Sequence, residues 1–179
     1  PTTGTGFYPP IDSITTDNDS VQVILSVTNQ WGCNPAADTI MIYTIEDPVA
    51  DFILDKYQGC DTLFVQSNTT SNSTNGQYTW QVFVDNAGIL TPYGTPITTT
   101  TISTPLFTLT NSSNQVDSLY TIQLTVGDTN GWNNIFSIDS IVVFPRPKAN
   151  YILSSNAICP DGSVIATDSS ISGSNITYN

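Results

Sequence analysis

The stretch YTIQLTVGDTNGW, Tyr120–Trp132, alternates apolar and polar residues and then turns toward a tryptophan. Tyr120, Ile122, Leu124 and Val126 fall on one face and Thr121, Gln123 and Thr125 on the other, the period of a half-buried β-strand. Almost the same text occurs earlier as VQVILSVTNQWGC, Val21–Cys33. Leu25 and Leu124, Phe52 and Tyr151, and Cys60 and Cys159 are each 99 residues apart. A spacing near one hundred residues is too long for a solenoid and fits whole domains in series.

The repeat divides the 179 residues unevenly. Residues 1–47 carry the C-terminal part of a first β-sandwich repeat, 48–146 a complete repeat, and 147–179 the N-terminal part of a third. The chain therefore reads as a window on a longer polypeptide, and a missing leader or membrane anchor is uninformative. The joints IEDPVA and FPRPKA contain proline, which fixes φ and withholds a donor, so they are expected to be short and semi-rigid.

Alternation recurs in QYTWQVFV, where Tyr78, Trp80, Val82 and Val84 form the inward set. Further strands are expected over 49–54, 62–67, 96–102, 106–110 and 135–144. No window holds a sustained 3.6-residue apolar period, so the expected class is all-β with essentially no helix. Asn130 and Gly131 are expected to supply the positive φ of a tight hairpin. About seven short strands in roughly 100 residues, with a tryptophan on the third, is the pattern of an immunoglobulin-like sandwich, with Trp80 and Leu124 between its sheets.

The order VADF, GC, NTTS, YTWQVF, SLYTIQLTVGDTNG, DSIVVFP resembles the polycystic-kidney-disease (PKD) domain, in the tandem form found in large secreted surface proteins of gliding bacteria. WQVFVDNAG, Trp80–Gly88, stands where that family usually reads WDFGDG, and the Thr-rich stretch from Leu90 to Thr110 is long for it. The resemblance implies an exported, extracellular segment of a cell-surface stalk, filament or adhesin associated with gliding motility. Its expected partners are neighbouring repeats of the same chain and extracellular polysaccharide or other surfaces.

Fifteen acidic residues face only Lys56, Arg146 and Lys148, for a net charge of −12. Phosphate binding needs Lys and Arg to displace counterions, so nucleic acid is excluded as a partner. Anionic membranes are disfavoured on the same ground, and no direct membrane insertion is expected. Without histidine the usual general base at neutral pH is missing. Paired carboxylates could still act in a cleft, but the aspartates sit mostly at turns and strand starts, and the chain reads as no enzyme.

No cofactor is expected. The acidic stretches that offer oxygens for calcium (Ca2+) are Asp12, Asp17 and Asp19, and Asp128 with Asn130. Neither stretch has the spacing of a calcium loop, and turn capping is the preferred reading. The alternative function is a carbohydrate-binding accessory module of a large secreted hydrolase, which would need a row of exposed aromatic residues on one sheet face. Trp80 belongs to the inward set, whereas Trp31 and Trp132 are expected at exposed hairpin tips. Cys33, Cys60 and Cys159 are expected to form no disulfide with one another, because Cys60 and Cys159 hold the same place in successive repeats.

Asp, then Ser or Thr, then an aliphatic residue recurs six times, placing a hydroxyl at Ser13, Ser20, Thr39, Thr62, Ser118 and Ser140. Strand initiation is one reading, in which the Asp ends a turn and the hydroxyl faces water. The family resemblance implies another: the triplet resembles an O-glycosylation signal of the same bacteria, and the six hydroxyls are its candidate sites. Asn-x-Ser/Thr sequons at Asn18, Asn68, Asn72, Asn111 and Asn175 carry little weight in so Ser- and Asn-rich a chain.

Overall fold

Runs of β-branched and aromatic residues at period two form most of the strands in the computed structural model. It describes residues 20–33, 36–73 and 76–171. The strands are β1 (Ser20–Val27), β2 (Ala36–Tyr43), β3 (Phe52–Leu54), β4 (Gln58–Cys60), β5 (Thr62–Thr69) and β6 (Gln77–Asn86). They continue as β7 (Ile89–Thr99), β8 (Leu106–Thr110), β9 (Ser118–Gly127), β10 (Asn133–Phe144), β11 (Tyr151–Leu153) and β12 (Ala166–Asp168). The protein is all-β, with no helix among the described residues.

The chain divides into two compact units, Pro1–Asp47 and Pro48–Asn179. In the first, β1 and β2 pair as an antiparallel hairpin. In the second, a five-stranded sheet runs β4-β10-β9-β6-β7 and a three-stranded sheet runs β3-β5-β8, while β11 and β12 form a separate pair. All pairings are antiparallel except that of β4 with β10.

The larger sheets share one core. Tyr78, Trp80 and Val82 of β6 and Tyr120, Ile122, Leu124 and Val126 of β9 are buried with Phe52, Leu63, Val65, Phe107 and Leu109 of the other sheet. Trp80 is 1% exposed; its ring lies 4.9 Å from Phe52, edge-on, and 5.7 Å from Phe107. Such edge-to-face pairs add about 0.5–1.5 kcal/mol to area burial. Leu124, directly opposite Trp80, is 0% exposed. The Tyr120 hydroxyl donates to the carbonyl of Thr110, tying the start of β9 to the end of β8. Burial first, and then the Tyr93 hydroxyl, push Tyr120 up to about 12.

Two expectations need correction, and one strand was not foreseen. The strand placed at 96–102 begins at Ile89, because Asp85–Gly88 makes a tight turn with Ala87 and Gly88 at φ 56° and 89°. β7 is an edge strand, where Pro92 and Pro96 do not interrupt a central ladder. The β9–β10 tip uses positive φ at Gly131 alone, not at Asn130, because the chain turns through a longer loop closed by Asp128 N–H on the Trp132 carbonyl. Gln58–Cys60 forms a strand of its own, too short and glycine-containing to show periodicity.

The 99-residue spacing is a geometric repeat. β3 pairs β5 as Phe52↔Thr69 and Leu54↔Ser67, and β11 pairs β12 as Tyr151↔Asp168 and Leu153↔Ala166. The isolated bridge Val49↔Asn72 recurs as Lys148↔Ile171. The Asp51 amide donates to Ser71 Oγ at 2.8 Å, and the Asn150 amide to Ser170 Oγ at 3.0 Å. In each case that hydroxyl donates back to the carbonyl of the same residue.

Candidate functional site: exposed hydroxyls and repeated tips

The hydroxyls of the Asp-Ser/Thr-aliphatic triplets are dispersed over separate strands and are brought together nowhere. Ser20, Thr39, Thr62 and Ser140 are exposed and Ser118 is half-buried, while Ser13 lies outside the described residues. Thr62 and Ser118 are the first residues of β5 and β9, and Ser20 is the first described residue of β1. Asp61, just before Thr62, has φ 61° and turns the chain from β4 into β5. Arg146 Nη1 lies 3.9 Å from its carboxylate, an exposed pair worth little by itself.

Thr39 and Ser140 do not open strands, contrary to the strand-start reading. Thr39 lies inside β2, opposite Ile24, with its amide on Asp38 Oδ1 at 2.9 Å. Ser140 sits on a bulge between Ile138 and Ile141, at φ 60°. A non-glycine residue in this region is strained, and the bulge re-aims its side chain. Ser140 and Asp139 line an open groove of about 420 Å³ on the outer sheet face, together with Phe83, Asp85, Leu90 and Leu119. The groove is not legible in the sequence because it forms where β6 and β7 meet β9 and β10, two hairpins distant in sequence.

The hairpin tips repeat as closely as the strands. Asn29 Oδ1 accepts from the amides of Trp31 and Cys33, at 3.0 and 3.2 Å. Asp128 Oδ1 accepts from the amides of Asn130 and Trp132, both at 2.9 Å. The glycines coincide under the same shift: Gly32 has φ 71° and Gly131 φ 92°, a region where a Cβ is costly. The tryptophans do not coincide, since Trp31 precedes its glycine and Trp132 follows it. They are 79% and 65% exposed. Desolvation pushes the Asp128 carboxyl up, but hydrogen bonds from the Asn130 side chain and from the amides of Trp132, Asn130 and Gly131 outweigh it and hold the group below its ordinary value.

Asp128 is therefore engaged as a turn cap. Asp12, Asp17 and Asp19 lie outside the described residues, among which no group of three or more His, Cys, Asp or Glu is placed to hold a metal ion. Cys33, Cys60 and Cys159 are free, exposed thiols. Asn111 is 4% exposed and its amide nitrogen donates to the carbonyls of Val116 and Val143, so this sequon position is structural. Phe83 and Phe64 lie on the outer faces of different sheets and form no row. Among the described residues no helix is long and apolar enough to cross a membrane. Comparison of the chain with protein-family models and with curated proteins yields no match.

Proposed function

We propose that this chain is a tandem-repeat segment of an exported, cell-surface stalk or filament, built from immunoglobulin-like sandwiches of the PKD type. Its role in this reading is mechanical and adhesive, toward neighbouring repeats and toward extracellular polysaccharide or other surfaces. The observation that carries it is the recurrence of strand register, bridge and side-chain clasp at one 99-residue shift. A chain that rebuilds the same module at fixed spacing gains length and not a new site. The immunoglobulin-like assignment is supported by the buried Trp80 and by the Tyr120 bond to an upstream carbonyl, both hallmarks of such sandwiches.

In this reading the exposed hydroxyls at Ser20, Thr39, Thr62 and Ser140 are places to carry sugar, which would shield strand edges in a weakly charged polymer. The carbohydrate-module alternative has less support, because Phe83 and Phe64 are split between two faces. Antibodies against residues 48–146 test the main reading on cells of the source organism. Labelling of intact cells is expected, and labelling only after permeabilisation would overturn it. Intact-mass measurement of natively exported protein tests the glycans separately, with a mass equal to the bare sequence as the negative result.

A further inference from the structure

The β1–β2 hairpin carries the same apolar pattern as β9–β10, but bare. Ile122, Leu124 and Val126 are all 0% exposed, whereas their counterparts Val23, Leu25 and Val27 are 44%, 64% and 55% exposed. Ile141 is 0% exposed and its counterpart Ile42 is 45% exposed. The registers correspond: Tyr120↔Ile141 matches Val21↔Ile42, and Leu124↔Phe136 matches Leu25↔Asp38. The first hairpin has one more residue in its tip, and the second takes up one residue as the bulge at Asp139 and Ser140. A bare two-stranded hairpin is marginal in water, and this one has an apolar face to lose.

We infer that the β1–β2 hairpin is the closing hairpin of another sandwich, and that its apolar face docks a polypeptide half of the β3–β8 type. The inference rests on the repeat itself and stands whether or not the surface-stalk reading holds. The complete unit specifies the occupant's chemistry. β9 is flanked by β6, which sets Trp80 opposite Leu124 and Tyr78 opposite Val126. The outer edge of β1, which pairs with no other described strand, then takes an antiparallel strand with aromatic residues at alternate positions, one opposite Leu25 and the next opposite Val27. The outer edge of β2, likewise unpaired among the described strands, takes a short parallel strand, as β10 takes Gln58–Cys60. Asp38 stands where Phe136 meets Phe52 edge-on at 5.4 Å, so the occupant is less apolar near the tip.

The test supplies that half from this chain's own sequence. A second copy of residues 48–118 is joined ahead of Ser20 in place of residues 1–19, leaving the rest of the chain intact. Hydrogen exchange is then read at the amides of β1, β2, β9 and β10. The expected result is slowing in β1 and β2 by at least about 100-fold relative to the unextended chain, since burial moves them from local fraying toward global opening. L25D in the extended chain should abolish that slowing and leave β9 and β10 unchanged. A second extended chain carrying D38F guards against a local misfit. If β1 and β2 stay unprotected in both extended chains while β9 and β10 are protected, the inference is wrong. Protection in the unextended chain that rises with its concentration would assign the face to a second copy and also overturn it.

Discussion

The hairpins β1–β2 and β9–β10 share their alternation and the glycine at the tip, and their registers differ only by the one residue of the β10 bulge, yet one is bare and the other is the centre of a core. Their difference separates what a strand pattern specifies from what it depends on. Alternation fixes which face of a hairpin is apolar, and a side-chain cap fixes how the tip turns. Neither buries anything. Burial of Leu124 comes from β6 beside it and from Phe52, Leu63 and Phe107 across the sandwich, contributed by segments up to 72 positions away in sequence.

The largest expected contrast is therefore at equivalent leucines. Leu124→Ala should destabilise the sandwich by about 2–5 kcal/mol, through lost transfer energy and a cavity. Leu25→Ala should change the stability of the unextended chain by no more than about 0.5 kcal/mol. Denaturant unfolding followed by the buried Trp80 would measure both, and equal effects would break the comparison.

Next comes the hydroxyl that only one hairpin carries. Tyr120→Phe removes the bond to the Thr110 carbonyl and should cost about 1–2 kcal/mol, whereas Val21 at the equivalent place has no such bond to lose. The same group gives an alkaline signature. Its folded value is raised from 10.0 to about 12, so the neutral form favours folding below pH 10 and that contribution is lost as pH rises through about 12. Tyr120→Phe should remove this part of the alkaline stability loss.

The smallest contrast lies in the tips. Asp128 titrates and Asn29 does not. With its folded value lowered below 3.8, Asp128 supports its turn above that pH and loses the support as pH falls through the lowered value. Exchange at the Trp132 amide should accelerate several-fold in acid relative to its intrinsic rate, with no matching change at Cys33. Asp128→Asn should make the two tips respond alike, and a persistent difference would refer it to something other than the cap.

Much of the fold was legible because its signals are local. Tyr120 to Val126 and Tyr78 to Val84 announce their faces by alternation, and the 99-residue spacing announces the pairing that recurs in β3–β5 and β11–β12. β7 was not legible over its first half, since Pro92, Gly94 and Pro96 interrupt the pattern in a strand whose edge position tolerates them. Asn130 resembled a hairpin residue in isolation, but the Asp128 cap spreads the turn over more residues than a tight hairpin uses. For the candidate sites, exposure at Thr62 followed from a strand start. Ser140 could not be placed that way, because its exposure comes from a bulge set by pairing with β9.

The parallel contact between β4 and β10 has a mechanical consequence. These strands lie near the two ends of the stretch 48–146, and Val142 N–H bonds the Tyr57 carbonyl while Asp61 N–H bonds that of Phe144, both at 2.9 Å. Tension applied at Pro48 and Arg146 pulls the two strands in opposite directions along their common axis. The bonds are then loaded together in shear, rather than opened singly as in a hairpin peeled from its tip. A unit joined this way resists stretching at its seam until several bonds fail at once, and then releases roughly 300 Å of chain at about 3.5 Å per residue.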